Sequence, residues 1–98
     1  RRGSLLAVAP LEEMVDLESL ATSIKGESRP ELQTRKRNTI LKNALDAVVV
    51  IKEKNPNADL SALRTALENF IATAPTWEKQ GAVPLPLIDR AKEVREKF

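Results

Sequence analysis

The stretch from residue 30 to residue 54 most restricts how this chain can fold, because it contains no glycine and no internal proline. The run at residues 48–51 alone would favour a strand, but no second stretch could pair with it. A broad apolar stripe at helical spacing is typical of a helix that contacts two neighbours in a bundle. That stripe contains Ile40, Leu41, Ala44, Leu45, Ala47, Val48, Val49 and Ile51.

Three further segments carry apolar residues at helical spacing and are bounded by breaks. Pro10 and Pro86 stand where a first helical residue can lack an N–H without loss. Asp59 suits an N-cap, and Pro75 should end the segment that follows it. The predicted helices therefore cover residues 10–25, 30–54, 59–74 and 86–98.

Four helices without a credible strand predict an all-α fold, most simply an antiparallel up-down-up-down four-helix bundle in one domain, residues 1–98. We expect the second helix at its centre. The last helix runs to Phe98, so we also expect the natural chain to continue past it. The predicted buried residues are Leu20, Ile24, Leu41, Leu45, Val48, Leu63, Leu67, Phe70, Ile88 and Val94.

The composition argues against catalysis and against a cofactor. The chain has no cysteine or histidine, and its three glycines are scattered rather than gathered in a phosphate-binding loop. Glu12, Glu13 and Asp16 are close in sequence, but the helix dipole explains acids in a first turn without a metal ion. The longest apolar runs are far shorter than the roughly 20 residues of a membrane span. We predict a protein without catalytic, cofactor or metal sites and without membrane insertion.

Positive charge is concentrated between residues 25 and 42, where six basic residues stand against two acidic ones in a chain of net charge +2. This density indicates a docking surface for an acidic protein, a nucleic-acid contact or a solvated helix end. No aromatic side chain that could stack on bases lies between residues 1 and 69. The candidate docking residues are Lys25, Arg29, Arg35, Lys36, Arg37 and Lys42.

Trp77 is the seventh candidate for partner docking. It is the only tryptophan, and it lies in the predicted connection between the third and fourth helices. An exposed tryptophan would suit an anchor for a partner, whereas a buried one would close the end of the bundle. Both interpretations stay open from the sequence.

Residues 60–98 carry a pattern that resembles one protein family. The run Thr65-Ala66-Leu67-Glu68-Asn69-Phe70 is followed by a loop, Pro84-Leu85-Pro86 and a helix through Ile88 and Val94. This order resembles the third helix, proline-rich loop and fourth helix of the extrinsic lumenal four-helix-bundle proteins of photosystem II, the PsbQ-like and diatom extrinsic class. The tyrosines usual near this loop in the family are missing here.

The resemblance implies a cofactor-free bundle in the chloroplast thylakoid lumen that docks on subunits of a membrane protein complex and stabilises the oxygen-evolving machinery. The docking residues above follow from charge placement and not from a motif match. The alternatives are a small basic helical module that binds nucleic acid and an interaction domain of a larger chain.

Overall fold

A computed structural model describes residues 11–98, and that part of the chain is all-α, with no strand. Residues 11–14 form a single helical turn ahead of the first named helix. The helices that follow are α1 (Leu17–Ser23), α2 (Pro30–Lys54), α3 (Ser61–Lys79) and α4 (Leu85–Glu96).

The first predicted helix, residues 10–25, is divided at Asp16, and its predicted start at Pro10 lies outside the described residues. Asp16 has an extended backbone (φ −92°, ψ 111°) and N-caps α1. Its carboxylate accepts from the backbone N–H of Glu18 and from the hydroxyl of Ser19, each at 3.1 Å. A carboxylate that accepts from an otherwise unpaired backbone N–H favours the start of a new helix. The prediction of one continuous helix over residues 10–25 is therefore wrong.

The bounds of α2 are those that the sequence predicts. Pro30 occupies its first turn, where the missing N–H costs nothing, and Glu31 adds negative charge near the positive end of the helix dipole. Twenty-five residues at 1.5 Å each span about 38 Å. The described chain is 41 Å long, so α2 sets its longest dimension.

The third predicted helix, 59–74, was wrong at both ends. Asp59 precedes the N-cap Leu60, although its carboxylate still accepts from the N–H of Ser61 at 3.1 Å. At the other end Pro75 lies inside α3, which continues to Lys79. Proline removes one intrahelical hydrogen bond, and burial of Ala74 with packing of Trp77 on the core supports the turns around it.

Helix α4 covers residues 85–96 rather than the predicted 86–98. Pro84 is its N-cap and holds an extended backbone (φ −76°, ψ 147°). This geometry turns Val83 into the core, where it is 1% exposed, and leaves Leu85 55% exposed. The proline-rich segment is therefore an extended entry to α4.

Side-chain pairs give the directions of three helices. From Ala82 to Phe98 the chain contacts α2 in rising order: Arg37 with Ala82, Asp46 with Arg90, and Lys52 with Phe98. Helices α2 and α4 are therefore parallel. In contrast, Arg95 near the end of α4 pairs with Glu68 in the first half of α3, so α3 and α4 are antiparallel.

The last helix is more central than the second, contrary to our expectation. Within the described residues α4 packs closely against both α2 and α3, and α1 packs against α3. All ten residues predicted to be buried are buried, which confirms the predicted helix faces. On α3 the buried positions 60, 63, 67, 70 and 74 alternate three and four apart, which places them along one seam.

Replacing Leu67 with Ala should lower the free energy of unfolding by roughly 2–5 kcal/mol, because this side chain is fully buried and its removal leaves a cavity. Urea unfolding followed by circular dichroism measures the change. Leu85→Ala is the matched control, since Leu85 is 55% exposed and should cost less than about 0.5 kcal/mol. Equal losses in the free energy of unfolding for the two variants would contradict the assignment of Leu67 to the buried face of α3.

Glu68 should make stability depend on pH. Hydrogen bonding to Arg95 across 2.7 Å is the main cause that lowers the pKa of Glu68 below 4.5 in the folded state. A carboxyl with a depressed pKa stabilises the fold above its unfolded pKa, and that stabilisation disappears as the pH falls through the folded pKa.

We therefore expect Glu68→Gln to lose stability at pH 7 and to show a smaller further loss than the wild type when the pH is lowered to about 3. The measurement is the urea midpoint at both pH values. Glu96→Gln is the control, because Glu96 is exposed and makes no ion pair within residues 11–98. An unchanged pH dependence in Glu68→Gln would show that the α3–α4 ion pair contributes nothing.

Candidate functional site

Arg37 points into the protein, so it does not belong to an exposed basic surface. Its side chain is 6% exposed, on the same helix face as Leu41, Ala44 and Val48. The spacing in the sequence does indicate that Arg37 lies on the buried face, because it is one turn before Leu41 and extends the apolar stripe. The prediction that Arg37 belongs to a surface for partner docking is therefore wrong, because its side chain is buried.

The Arg37 guanidinium joins three parts of the fold. Its carbon lies 5.2 Å from the centre of the Trp77 ring, and its Nη1 donates to the backbone carbonyl of Ala82 at 3.3 Å. The buried Nε has no hydrogen-bond partner in the described part of the chain. Burial lowers the pKa of Arg37, and the aromatic face offsets part of the cost of burying the charge.

Trp77 lies in the last full turn of α3 and not in a loop, which corrects its predicted position. It is half-buried and packs against the core beneath Arg37. Positions 70, 74 and 77 continue the alternating spacing of α3, so the buried seam itself extends past Pro75. The packed interpretation of Trp77 fits this position, and its remaining exposed edge borders the groove described below.

The other basic residues of α2 point to the outside. We define the basic surface as Arg29, Arg35, Lys36 and Lys42, which are all exposed. At about 100° per residue, Lys42 falls within about 20° of Arg35, and Arg29 within about 20° of Lys36. Relative to Arg37, the Arg35–Lys42 pair lies about 150° around the helix, and the Arg29–Lys36 pair lies about 90° around it in the other direction. Both pairs therefore point away from the buried stripe of α2. Lys25 is also exposed, in the turn after α1.

Part of this charge is balanced locally. Glu27 lies 3.4 Å from Arg29 and 3.5 Å from Lys36, and Lys42 lies 3.6 Å from Asp46. The hydrogen bond from the Arg29 backbone N–H is the main cause that lowers the pKa of Glu27. The cations of these pairs are exposed although Glu27 is mostly buried, and ion pairs at the surface contribute little energy, so an acidic partner can compete for these cations.

A groove of about 700 Å³ lies between residues 12–18 and α3. One wall carries four carboxylates, and Phe70 and Trp77 contribute apolar surface. None of the four makes an ion pair within residues 11–98. We call this the acidic groove, and its acids are Glu12, Glu13, Asp16 and Glu18. The predicted helix at residues 10–25 contains all four of these acids, but the groove depends on how that segment lies against α3.

Two further searches of the described residues bear on function. No group of three or more histidine, cysteine, aspartate or glutamate side chains in residues 11–98 is arranged to hold a metal ion. No helix in the same range has both the length and the hydropathy of a membrane span.

Comparisons with known proteins give no relative. No protein-family model matches the chain, and no curated protein or solved structure matches it. The resemblance of residues 60–98 to the photosystem II extrinsic proteins therefore stays a prediction.

Arg37 and Trp77 should be energetically coupled. In a double-mutant cycle with Arg37→Met and Trp77→Leu, we expect a coupling free energy of about 0.5–2 kcal/mol, because a cation over an aromatic face is attracted more strongly when both are desolvated. Urea unfolding of the four proteins measures it. A coupling below about 0.3 kcal/mol would mean that the two side chains act independently.

The matched comparison is Lys52 and Phe98, whose ammonium and ring centre lie 5.4 Å apart. Both side chains are only half-buried, so a cycle on this pair should give a smaller coupling than the Arg37–Trp77 cycle.

Proposed function

We propose that this chain is a non-catalytic docking subunit that binds an acidic protein surface through the basic surface of α2. The observation that carries the proposal is the division of charge on this helix. Arg37 is held inside by Trp77 and Ala82, while Arg29, Arg35, Lys36 and Lys42 face outward. A helix anchored from within presents its outer cations in a fixed arrangement, which lowers the ordering cost of binding.

The position of Trp77 favours a protein partner over nucleic acid. Binding of single strands without sequence preference commonly uses aromatic side chains on which bases stack. The only tryptophan lies beneath Arg37, on the buried side of α2, and is not part of the exposed basic surface. Charge complementarity with an acidic protein needs no such aromatic.

The proposal includes the arrangement of the four helices and the membrane complex to which the chain binds. The parallel α2–α4 and antiparallel α3–α4 pairs suit an up-down-up-down bundle with a short first helix. The specific assembly that we propose is photosystem II on the lumenal side of the thylakoid, where the chain would stabilise membrane-complex subunits. The resemblance of residues 60–98 supports this choice.

Reversing three charges of the basic surface tests the proposal. The variant carries Arg35→Glu, Lys36→Glu and Lys42→Glu, and it leaves Arg37 intact because that residue supports the fold. We expect capture of partners from native extract, and cosedimentation with thylakoid membranes at low salt, to fall at least about tenfold.

The matched control carries Lys79→Glu, Lys92→Glu and Lys97→Glu, which change the net charge equally at exposed positions elsewhere. It should bind as the wild type does. Equal binding by all three proteins would contradict docking through the basic surface. If the wild type instead bound DNA with a steep salt dependence, and the charge-reversal variant lost that binding rather than a protein partner, the chain would be a nucleic-acid-binding module.

A further inference from the structure

The acidic groove and the basic surface have opposite charges on one molecule. Each contains four ionised side chains, and the four acids of the groove make no ion pair within residues 11–98. The cations that do pair use Glu27 and Asp46 instead. The fold therefore keeps these two sets of charges separate.

The geometry prevents the two surfaces from meeting within one molecule. Trp77 borders the groove and also lies under Arg37, so the groove adjoins the inward side of α2. The basic surface is on the exposed side of that helix, about 80° to 160° around the axis from Arg37. Within residues 11–98 the two surfaces therefore cannot meet, and a second copy is needed to bring this basic surface to the groove.

The two surfaces also match in length and in apolar content. The groove extends along α3 from Ala62 to Trp77, which is about 22 Å at 1.5 Å per residue. The basic surface runs from Arg29 to Lys42, about 20 Å by the same measure. Half-exposed Leu32 lies one turn before Lys36 and supplies an apolar contact for the groove.

We propose that the acidic groove of one copy of this chain binds the basic surface of α2 from a second copy. The inference rests on the proposed function in one respect, because the same basic surface does the binding. The contact joins two different patches. It therefore either links copies into an open chain or forms a closed dimer in which each copy binds the other through both patches. Exposed ion pairs carry most of the attraction, so the association is weak and sensitive to salt.

A charge exchange tests this contact in the purified protein. The groove variant carries Glu13→Lys and Glu18→Lys, and the surface variant carries Arg35→Glu and Lys36→Glu. Asp16 is left unchanged because its carboxylate caps α1. Sedimentation equilibrium at low salt and at protein concentrations up to about 1 mM gives the dissociation constant. We expect the wild type to associate and each variant alone to weaken association at least about tenfold.

Two combinations should restore the association. In an equimolar mixture, the unchanged basic surface of the groove variant can bind the unchanged groove of the surface variant. The groove made basic in one variant can also bind the α2 surface made acidic in the other. The protein that carries all four substitutions should associate with itself like the wild type, since both surfaces have changed sign. Two control proteins, Lys92→Glu with Lys97→Glu and Glu53→Lys with Glu96→Lys, should behave as the wild type. Circular dichroism checks that every variant folds.

The outcomes separate this inference from the proposed function. A wild type that stays monomeric at about 1 mM and low salt overturns the inference, as does a mixture or fourfold variant that fails to associate. If the wild type still captures a foreign partner in that case, the docking function stands alone. The groove variant should keep that foreign partner while losing self-association, and loss of both would contradict the separation of the two surfaces.

Discussion

The burial of one positive charge joins three parts of this fold. Arg37 contacts the face of Trp77 and the carbonyl of Ala82, so a single guanidinium joins α2 to the end of α3 and to the connection that leads into α4. The contact also explains why α3 continues past Pro75, because the turn that contains Trp77 has a packing partner. Burying a cation whose Nε has no hydrogen-bond partner within residues 11–98 is costly, and the contacts with Trp77 and Ala82 offset part of that cost.

This anchoring divides the charge of α2 into two roles. The inward cation supports the fold, and the outward cations remain available for binding. On the other side of the molecule, Asp16 interrupts the first helix and starts α1, which brings its neighbouring acids against α3 and forms the acidic groove. The result is a small protein with two separated surfaces of opposite sign. Charged surfaces of opposite sign can orient partners in electrostatic association, as we propose for this chain.

Much of the fold could be predicted from apolar spacing. The bounds of α2 and all ten predicted core residues are correct, because a 3.6-residue stripe and a proline or asparagine break are local signals. The errors lie where tertiary contacts outweigh a local rule. Pro75 should end a helix, but packing of the following turn supports it, and Asp16 divides a helix that its apolar spacing alone would continue.

The sequence by itself determined the all-α class, the faces of the helices and the local excess of positive charge, since each depends on residue type and on spacing along the chain. Only the tertiary structure decided which of the charges are buried and which are exposed. The packing of Trp77 turned Arg37 from a surface candidate into part of the core. The placement of residues 12–18 against α3 likewise created the acidic groove. The spacing of Arg37 from Leu41 indicated only its helix face, whereas both contacts join segments far apart in the chain and so depend on the tertiary structure.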